Sequence, residues 1–364
     1  MFLEVDERGR VERYNDDFEQ FLLKNKNCKV GTFVYELLDL KRTKIKLVER
    51  LIQQKRKAKS IVFSHKYNMR EKLFWIEWTV MSVGNNLVLI GKDITCIKNF
   101  EHIIKEQNQL LKDRNKNFID SLNYSERIQS ALLPGKDRLS YFSDSFIIYK
   151  PKDIVSGDFY WFKETADNVF FASIDCTGHG VPGALMTVLA NALLNELIIH
   201  EKKTAVSQIL NELDLRLKEA LNTFESYIND GFDIALCCID KKSNKMCFSG
   251  AFHNVFIVKI NREHHYLKGD RRSIGGYYKE DYSFNTHEIF LGKGDKIYLS
   301  SDGFADQFGG PRNKKLGSKK LIEMLKEIGD KSMQGQRTFL EEFYSYWKGS
   351  NEQIDDVLFM GLEV

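Results

Sequence analysis

The chain has 364 residues, and at roughly 100 to 200 residues per domain this length suggests two or three domains. Hydrophobic residues make up 43% and charged residues 29%, which is typical of a folded chain and excludes a disordered, collagenous or disulfide-based scaffold. The net charge is only +3, so the composition gives no reason to expect a nucleic-acid partner.

The first residues do not resemble an export signal, because Glu4 and Asp6 stand where such a signal needs basic and then apolar residues. The most apolar long stretch, residues 183–199, is interrupted by Asn191 and Asn195. It is predicted to be a buried helix and not a membrane span. The chain is therefore expected to be cytoplasmic, with no membrane partner.

The six cysteines show no C-x-x-C spacing, and Cys237 and Cys238 are adjacent, which is a poor geometry for a bridge between them. They are predicted to be small, mostly buried thiols.

Residues 1–96 show the pattern of a small antiparallel sheet with helices on one face. Residues 2–5 and 11–14 alternate in polarity around a turn, which predicts a hairpin. A possible helix N-cap follows at residues 15–17. Residues 74–80 and 87–91 are rich in β-branched and aromatic side chains, as strands are.

This segment resembles a PAS sensor domain, through its opening at residues 5–11 and its ending at residues 91–95. The resemblance implies a pocket for haem, flavin, a small metabolite or no ligand at all. The candidate attachment residues His65, Cys28 and Cys96 match no attachment motif, so a core or surface role is favoured for each. The ligand of this domain stays unknown.

Residues 97–135 are predicted to form one long linker helix, because no proline or glycine occurs before Pro134. Apolar residues recur every seven positions, with one interruption at Ser125, a pattern typical of a coiled coil. They are Ile97, Ile104, Leu111, Phe118 and Leu132. The second seam is mostly polar, so two interpretations stay open: a parallel homodimer through residues 97–132, or an amphipathic helix packed on its own domain.

Residues 139–364 mix strand-like runs with three or four helices. Strands and helices do not alternate regularly, and the strands on either side of residues 241–244 have the pattern of a hairpin. Antiparallel sheets with helices packed outside are therefore expected, and the fold class of the whole chain is α+β.

Acidic residues at the ends of apolar strands are the strongest chemical signal in this part. They are Asp158, Asp175, Asp302 and the pair Asp355-Asp356. Burying such carboxylates without a partner is unfavourable, and a hard divalent cation relieves their repulsion where they converge. Magnesium or manganese is expected, because no matching set of histidines and cysteines favours zinc. Strand-end aspartates also form turns and cap helices, so spacing alone leaves that alternative open.

Four sequence blocks carry a specific resemblance: residues 156–160, 175–186, 301–303 and 355–356. Together they resemble the metal-dependent serine/threonine phosphatases of the protein phosphatase 2C (PPM) family, and especially the bacterial branch typified by stage II sporulation protein E. The resemblance implies an α-β-β-α sandwich of two antiparallel sheets flanked by helices over residues 139–364. It also implies a centre of two Mn²⁺ or Mg²⁺ ions that activates a water for attack on a phosphate ester.

The same resemblance assigns roles to individual residues. Asp158 would bind one ion, Asp175 would bridge both, and the main-chain carbonyl of Cys176 would complete a ligand set. Asp302 and Asp355 would hold the first ion. These residues are the predicted metal ligands, and the four aspartates are the predicted catalytic residues.

The sequence departs from the family pattern in two places. His179 lies four residues beyond Asp175, whereas the animal enzymes place a histidine two residues beyond the equivalent aspartate. Two roles therefore stay open for His179: a general acid, or a residue that orders the turn before the next helix. Either Asp355 or Asp356 could face the metal, and alignment by position favours Asp355. Asp306 is interpreted as a cap or a solvent-exposed acid, with a third weakly held ion as the alternative.

The expected function is hydrolysis of phosphoserine or phosphothreonine on a signalling protein, and the resemblance suggests a small anti-sigma-factor antagonist as the partner. The PAS-like domain would regulate this activity through the linker helix. One alternative is a catalytically silent sensor and dimerisation module that binds a phosphoprotein. Another is a diguanylate cyclase, suggested by residues 156–159, although the expected glutamate is missing. Neither a P-loop nor a Cys-x5-Arg motif occurs.

Overall fold

The structure is a computed structural model that describes residues 1–22, 30–38, 60–69, 72–135, 139–221, 230–276 and 282–364. Cys28, a candidate attachment residue, lies outside these ranges. The chain divides into two compact units, Met1–Lys116 and Asn117–Val364, which are described separately.

The first unit contains a five-stranded antiparallel sheet in the order β2-β1-β5-β4-β3. Its elements are β1 (Phe2–Val5), β2 (Val11–Tyr14), α1 (Asp16–Leu22), α2 (Val34–Leu37), β3 (Ile61–Met69), β4 (Lys72–Val83) and β5 (Asn86–Asp93). Inward-facing Leu3, Leu89 and Trp78 pack with Phe18 of α1 in a fully buried core. The predicted sheet with accompanying helices is confirmed, and the PAS resemblance stays a prediction.

A single helix, α3 (Thr95–Leu132), follows β5, as the absence of proline and glycine predicted. It begins where Asp93 Oδ1 accepts a hydrogen bond from the Thr95 main-chain N–H at 2.8 Å. The heptad residues are exposed, Leu111 at 55% and Phe118 at 61%. Gln129 is the buried residue of this helix.

The second unit contains two five-stranded antiparallel sheets. The first sheet has the order β13-β10-β9-β8-β7, with strands β7 (Asp158–Glu164), β8 (Asn168–Cys176), β9 (Phe232–Asp240), β10 (Lys245–Ala251) and β13 (His287–Phe290). The second has the order β12-β11-β14-β17-β6, with strands β6 (Asp144–Lys150), β11 (Val255–Val258), β12 (His264–Leu267), β14 (Lys296–Ser300) and β17 (Val357–Glu363). A short hairpin, β15 (Phe308–Gly309) with β16 (Lys314–Lys315), lies outside both sheets.

Helices pack on the outer face of each sheet. They are α4 (Gly180–Asn195), α5 (Val206–Ala220), α6 (Gly303–Asp306), α7 (Ser318–Ile328) and α8 (Met333–Lys348). Adjacent strand residues face opposite layers: Phe170 packs with α4 and α5, whereas Phe171 packs between the sheets. A third core joins Phe359 of β17 to α7 and α8. The predicted α+β class and the α-β-β-α sandwich are confirmed.

Helix α4 continues into a π-turn at Glu196–His200. Within the described residues, this 21-residue stretch is the one long and apolar enough to pass as a membrane span by composition. Its Ala190 and Leu194 are fully buried against the first sheet and α5. The predicted helix is confirmed, but it is buried on one face only, since Leu185 on the other face is 67% exposed.

Candidate functional site

Three aspartates lie side by side on neighbouring strands of the first sheet. The antiparallel register pairs Asp158 of β7 with Asp175 of β8, and Asp175 with Asp233 of β9. Directly paired residues place their side chains on the same face of a sheet. The three carboxyl groups therefore form a row at the end of the sheet where β8 stops.

The second sheet brings more carboxyl groups to the same place. Asp302 follows β14, and the Asp355-Asp356 pair precedes the neighbouring strand β17. A cavity of about 240 Å³ opens between the two sets. Its lining residues are Asp175, Cys176, Thr177, Gly178, His179, Asp233, Ser273, Asp302, Asp355 and Asp356. None of these described lining residues is a lysine or an arginine.

Asp158 lies behind this cavity and is not among its lining residues. Its side chain is buried, and Oδ2 accepts a hydrogen bond of 2.5 Å from Ser301 Oγ. Burial raises the pKa of Asp158 well above its usual range, and repulsion from Asp356 and Asp355 adds to the effect, although the Ser301 hydrogen bond opposes it. The predicted ligand is thus adjacent to the others but more deeply buried.

The pKa values of Asp175 and Asp302 are raised as well. Burial, followed by repulsion from Asp158 and Asp302, raises the pKa of Asp175 to about 10. Burial and then the charge of Asp355 raise the pKa of Asp302 to about 6. These groups are held together although their negative charges oppose it, and a cation between them would relieve both burial and repulsion.

The two adjacent acids Asp355 and Asp356 have different environments. Asp356 is buried, and its two carboxylate oxygens accept hydrogen bonds of 2.7 Å from the main-chain N–H groups of Lys152 and Gly157. Asp355 is exposed and accepts one hydrogen bond, from the Asp356 N–H at 2.9 Å. Asp356 therefore ties the loop before β7 to β17, whereas Asp355 keeps a largely unengaged carboxylate at the cavity.

Close contacts between glycines fix the turn after β8. A Cβ atom on Gly183 would lie 2.2 Å from the Gly178 carbonyl oxygen and 2.8 Å from the Gly157 Cα. Gly178 also has a φ of 86°, a conformation that favours glycine. The start of α4 and the loop before Asp158 can approach the turn this closely only because Gly183 and Gly157 lack side chains.

Comparison with known proteins agrees with this geometry. Residues 165–364, more than half of the chain, match the family described as Stage II sporulation protein E (SpoIIE). The chain belongs to the SpoIIE family. It is also similar to the phosphoserine phosphatase RsbU of Bacillus subtilis (strain 168), with 23% identity over 206 residues that cover 55% of this chain. The match spans 58% of the length of RsbU.

A solved structure supports the same assignment. The chain is similar to the SiaA-PP2C domain of Pseudomonas aeruginosa, with 32% sequence identity and a TM-score of 0.62. The match covers 69% of this chain and 98% of that domain. Sequence and fold thus agree on a SpoIIE-type, protein phosphatase 2C-like unit.

Cys176 is the predicted SpoIIE-family ligand that acts through its main chain. Its side chain is buried, and its N–H donates to the Gly157 carbonyl oxygen at 3.1 Å. Burial and the charge of Asp175 raise the pKa of the Cys176 thiol well above its usual range. A thiol held in its protonated form is a poor nucleophile, so any role of Cys176 in the chemistry falls to its carbonyl.

His179 precedes α4 at the rim of the cavity, and its Nδ1 lies 2.7 Å from Asp153 Oδ2. Both side chains are about half exposed. This pair ties the turn to the segment between β6 and β7, a contact that the turn-ordering role requires, and both roles of His179 stay predictions. Asp306, one turn beyond Asp302, pairs with Lys315 at 2.5 Å, as a solvent-facing acid would.

Two residues of the site are missing from the sequence-based set. Asp233 lines the cavity and accepts a hydrogen bond from Ser273 Oγ. His253 is 7% exposed and places Nε2 3.9 Å from Asp175 Oδ2, while burial lowers its pKa to about 4. The neutral imidazole therefore lies behind Asp175 without contributing a positive charge.

The donor atoms fit magnesium or manganese better than a softer metal. Apart from His179 and the buried Cys176 thiol, the charged and polar side chains of the cavity are carboxylates and hydroxyls, which are hard oxygen donors. Among the described residues, no three His, Cys, Asp or Glu side chains are arranged to hold one ion between them. Magnesium is commonly held by one or two carboxylates with water completing its shell, so the arrangement suits that mode.

Proposed function

We propose that this chain is a metal-dependent protein phosphatase that hydrolyses phosphoserine or phosphothreonine on a signalling protein. The observation that carries the proposal is the cavity lined by five carboxylates and, among its described residues, by no lysine or arginine. Such a cavity repels a phosphate group by itself. A phosphate ester can enter only together with cations, which is the chemistry of a metal-dependent phosphatase.

We assign the ions to the residues that the family resemblance named. Asp175, Asp302 and Asp355 would hold them from the cavity walls, Asp158 from behind, and Cys176 through its carbonyl. Bound Mn²⁺ or Mg²⁺ supplies a water of lowered pKa and positive charge for the phosphate oxygens. The chain itself supplies the rigid turn at residues 176–178. Burial keeps the Cys176 thiol protonated, so this thiol does not compete as a nucleophile.

The substrate is proposed from the relatives. RsbU is named as a phosphoserine phosphatase, and the family branch suggests a small anti-sigma-factor antagonist as the phosphoprotein. The cavity is open and its rim holds the exposed residues His179 and Asp355, which suits a phosphorylated residue presented on a protein surface. A catalytically silent binding module is the alternative, and the retained aspartates at all predicted positions disfavour it.

We further propose that the first unit is a PAS-type sensor and that α3 carries its signal to the catalytic unit of a cytoplasmic protein. The helix is common to both units, since the boundary between them falls at Lys116 within it. A ligand-dependent shift of the sensor would therefore reach the catalytic unit along one continuous element.

The decisive experiment is hydrolysis of p-nitrophenyl phosphate and of a phosphoserine peptide after removal of metal with EDTA. We expect no activity in EDTA and recovery with Mn²⁺ or Mg²⁺. Asp302→Asn should lower kcat/KM about a hundredfold or more, because a lost metal interaction is worth several kcal/mol in the transition state. Steady-state rates measured over a range of metal concentrations give both the metal requirement and kcat/KM.

Asp306→Asn is the matched control, since Asp306 lies one helical turn beyond Asp302 and pairs with Lys315 of the short hairpin. Its rate should stay within about threefold of wild type, as for a surface ion pair. Equal rates for wild type and Asp302→Asn, or full activity in EDTA, would end the metal-phosphatase proposal and favour the silent module.

The dimer proposal has a separate test on α3. The exposed heptad residues predict a homodimer at micromolar concentration, and Leu111→Asp should shift the light-scattering mass to that of a monomer, because a charge at a seam position opposes coiled-coil pairing. The neighbouring Lys112→Asp is the control and should stay dimeric. A wild-type chain that is monomeric at all concentrations would contradict the proposal.

A further inference from the structure

We infer that Gln129, near the end of α3, is a positioning residue for the metal-binding carboxylates, an inference that rests on the proposed function. Gln129 is 6% exposed in a helix whose other side chains are exposed or partly exposed. No other feature of α3 explains why an uncharged polar side chain is buried at this position. The hydrogen bonds of its amide group give the reason.

The Gln129 side-chain amide pairs with the main chain of Ser156 in both directions. Oε1 accepts a hydrogen bond from the Ser156 N–H at 3.0 Å, and Nε2 donates to the Ser156 carbonyl oxygen at 2.6 Å. The amide thereby acts like a residue of a neighbouring strand. This two-way pairing also fixes which end of the amide is oxygen, because Ser156 N–H needs an acceptor and Ser156 C=O needs a donor.

A third hydrogen bond reaches helix α4. Gln129 Nε2 also donates to Thr187 Oγ1 at 3.0 Å, and Thr187 Oγ1 donates in turn to the Ala184 carbonyl oxygen at 2.8 Å. Thr187 is itself buried. Gln129 therefore joins the loop that leads into β7 to the helix that follows the turn after β8.

These two elements carry the predicted metal ligands. Ser156 lies two residues before Asp158 and its Oγ accepts from the Asp158 N–H at 3.0 Å, while the turn at residues 175–178 runs directly into α4. The His179–Asp153 pair also links the two elements, but it is half exposed, whereas the Gln129 amide is buried between them. This amide thus sets the spacing between the Asp158 loop and the turn, and it acts on the ions through those residues.

The test compares Mn²⁺ binding by calorimetry for the wild-type full chain, Gln129→Met and Ser130→Ala. Methionine keeps the length and packing of glutamine but makes none of the three hydrogen bonds. We expect Gln129→Met to weaken Mn²⁺ binding about tenfold or more, as loss of a residue that orients metal ligands does, and to raise the Mn²⁺ concentration for half-maximal activity equally. The rate at saturating Mn²⁺ should stay within about threefold of wild type, since binding a saturating ion restores the ligand positions.

Ser130→Ala is the matched control, because Ser130 is the next residue, is exposed and bonds Glu126 on its own helix. It should bind Mn²⁺ as wild type does. If Gln129→Met does not fold, Thr187→Val carries the test: it removes one of the three hydrogen bonds and should weaken binding several-fold.

Two outcomes overturn the inference: Mn²⁺ affinity unchanged in Gln129→Met while its melting temperature falls, which is a purely structural role, or a wild-type chain that binds no Mn²⁺. The proposed function fails separately. A chain that hydrolyses no phosphate ester, yet binds Mn²⁺ with an affinity that depends on Gln129, would contradict the phosphatase and support the positioning role.

Discussion

Asp175→Asn is expected to abolish phosphatase activity and, in the absence of metal, to raise the melting temperature. The carboxyl group of Asp175 is paired across the strands with Asp158 and Asp233 and lies close to Asp302 and Asp355. Asparagine has nearly the same shape but does not ionise, so it removes the proposed metal ligand together with the cost of holding a carboxyl group, protonated or charged, among these neighbours. We expect a loss of about a thousandfold in kcat/KM and a gain of about 5 °C without metal.

The pH dependence of the metal-free protein follows from the same group. Its pKa in the folded chain is about 10, raised from 3.8, so the folded state favours the protonated form. The stabilisation is therefore complete below about pH 4 and is lost as the pH rises through the range from about 4 to about 10. Metal-free wild type should melt at a higher temperature at about pH 5.5 than at about pH 8, and Asp175→Asn should flatten that slope.

Calorimetric or fluorescence melting in EDTA and in saturating Mn²⁺ checks these expectations. Mn²⁺ should raise the melting temperature of wild type, since binding to the folded state alone stabilises it, and should raise that of Asp175→Asn much less. Asp144→Asn, at an exposed position at the start of β6, is the control and should match wild type throughout. A variant that melts below wild type in EDTA would show that the carboxylates are not mutually strained.

The fold could be predicted from the sequence wherever the sequence signals are local. The hairpin of β1 and β2, the uninterrupted α3 and the buried helix α4 depend on alternation, on the lack of proline and glycine, and on apolar composition. Strand β7 was harder, because Asp158–Glu164 joins an acid to a run of aromatic residues without clear alternation. Its assignment depends on pairing with β8, which no local pattern encodes.

The candidate site could be predicted only in part, because contacts between distant segments leave no local sequence signal. The predicted aspartates were found because each adjoins glycine or another acid at a strand end. Asp233 has the same signal, an acid at the start of the apolar strand β9, but its importance comes from lying opposite Asp175, a register between distant segments. His253 follows β10, and its proximity to Asp175 depends on β10 and β8 lying in the same sheet on either side of β9, which no local pattern encodes.

The last prediction separates the two adjacent acids that the sequence could not distinguish. Asp356→Asn should destabilise the chain with metal present or absent, because both carboxylate oxygens accept hydrogen bonds from main-chain N–H groups, one buried and one partly buried. An amide offers an oxygen to one of them and an N–H₂ to the other, which leaves one donor facing another. Loss of one such charged hydrogen bond and the resulting conflict costs about 3 kcal/mol, or roughly 9 °C in a unit of this size.

Asp355→Asn should behave in the opposite way. Its carboxylate is exposed and accepts a single hydrogen bond from the neighbouring N–H, which asparagine can retain. The melting temperature in EDTA should stay within about 2 °C of wild type, while kcat/KM at limiting Mn²⁺ falls about a hundredfold as a metal ligand is lost. Melting curves and metal-dependent rates on the two single variants give both results. The reverse pattern, a stable but inactive Asp356→Asn beside an active Asp355→Asn, would assign the metal to Asp356 and leave Asp355 as the residue that merely caps its neighbour.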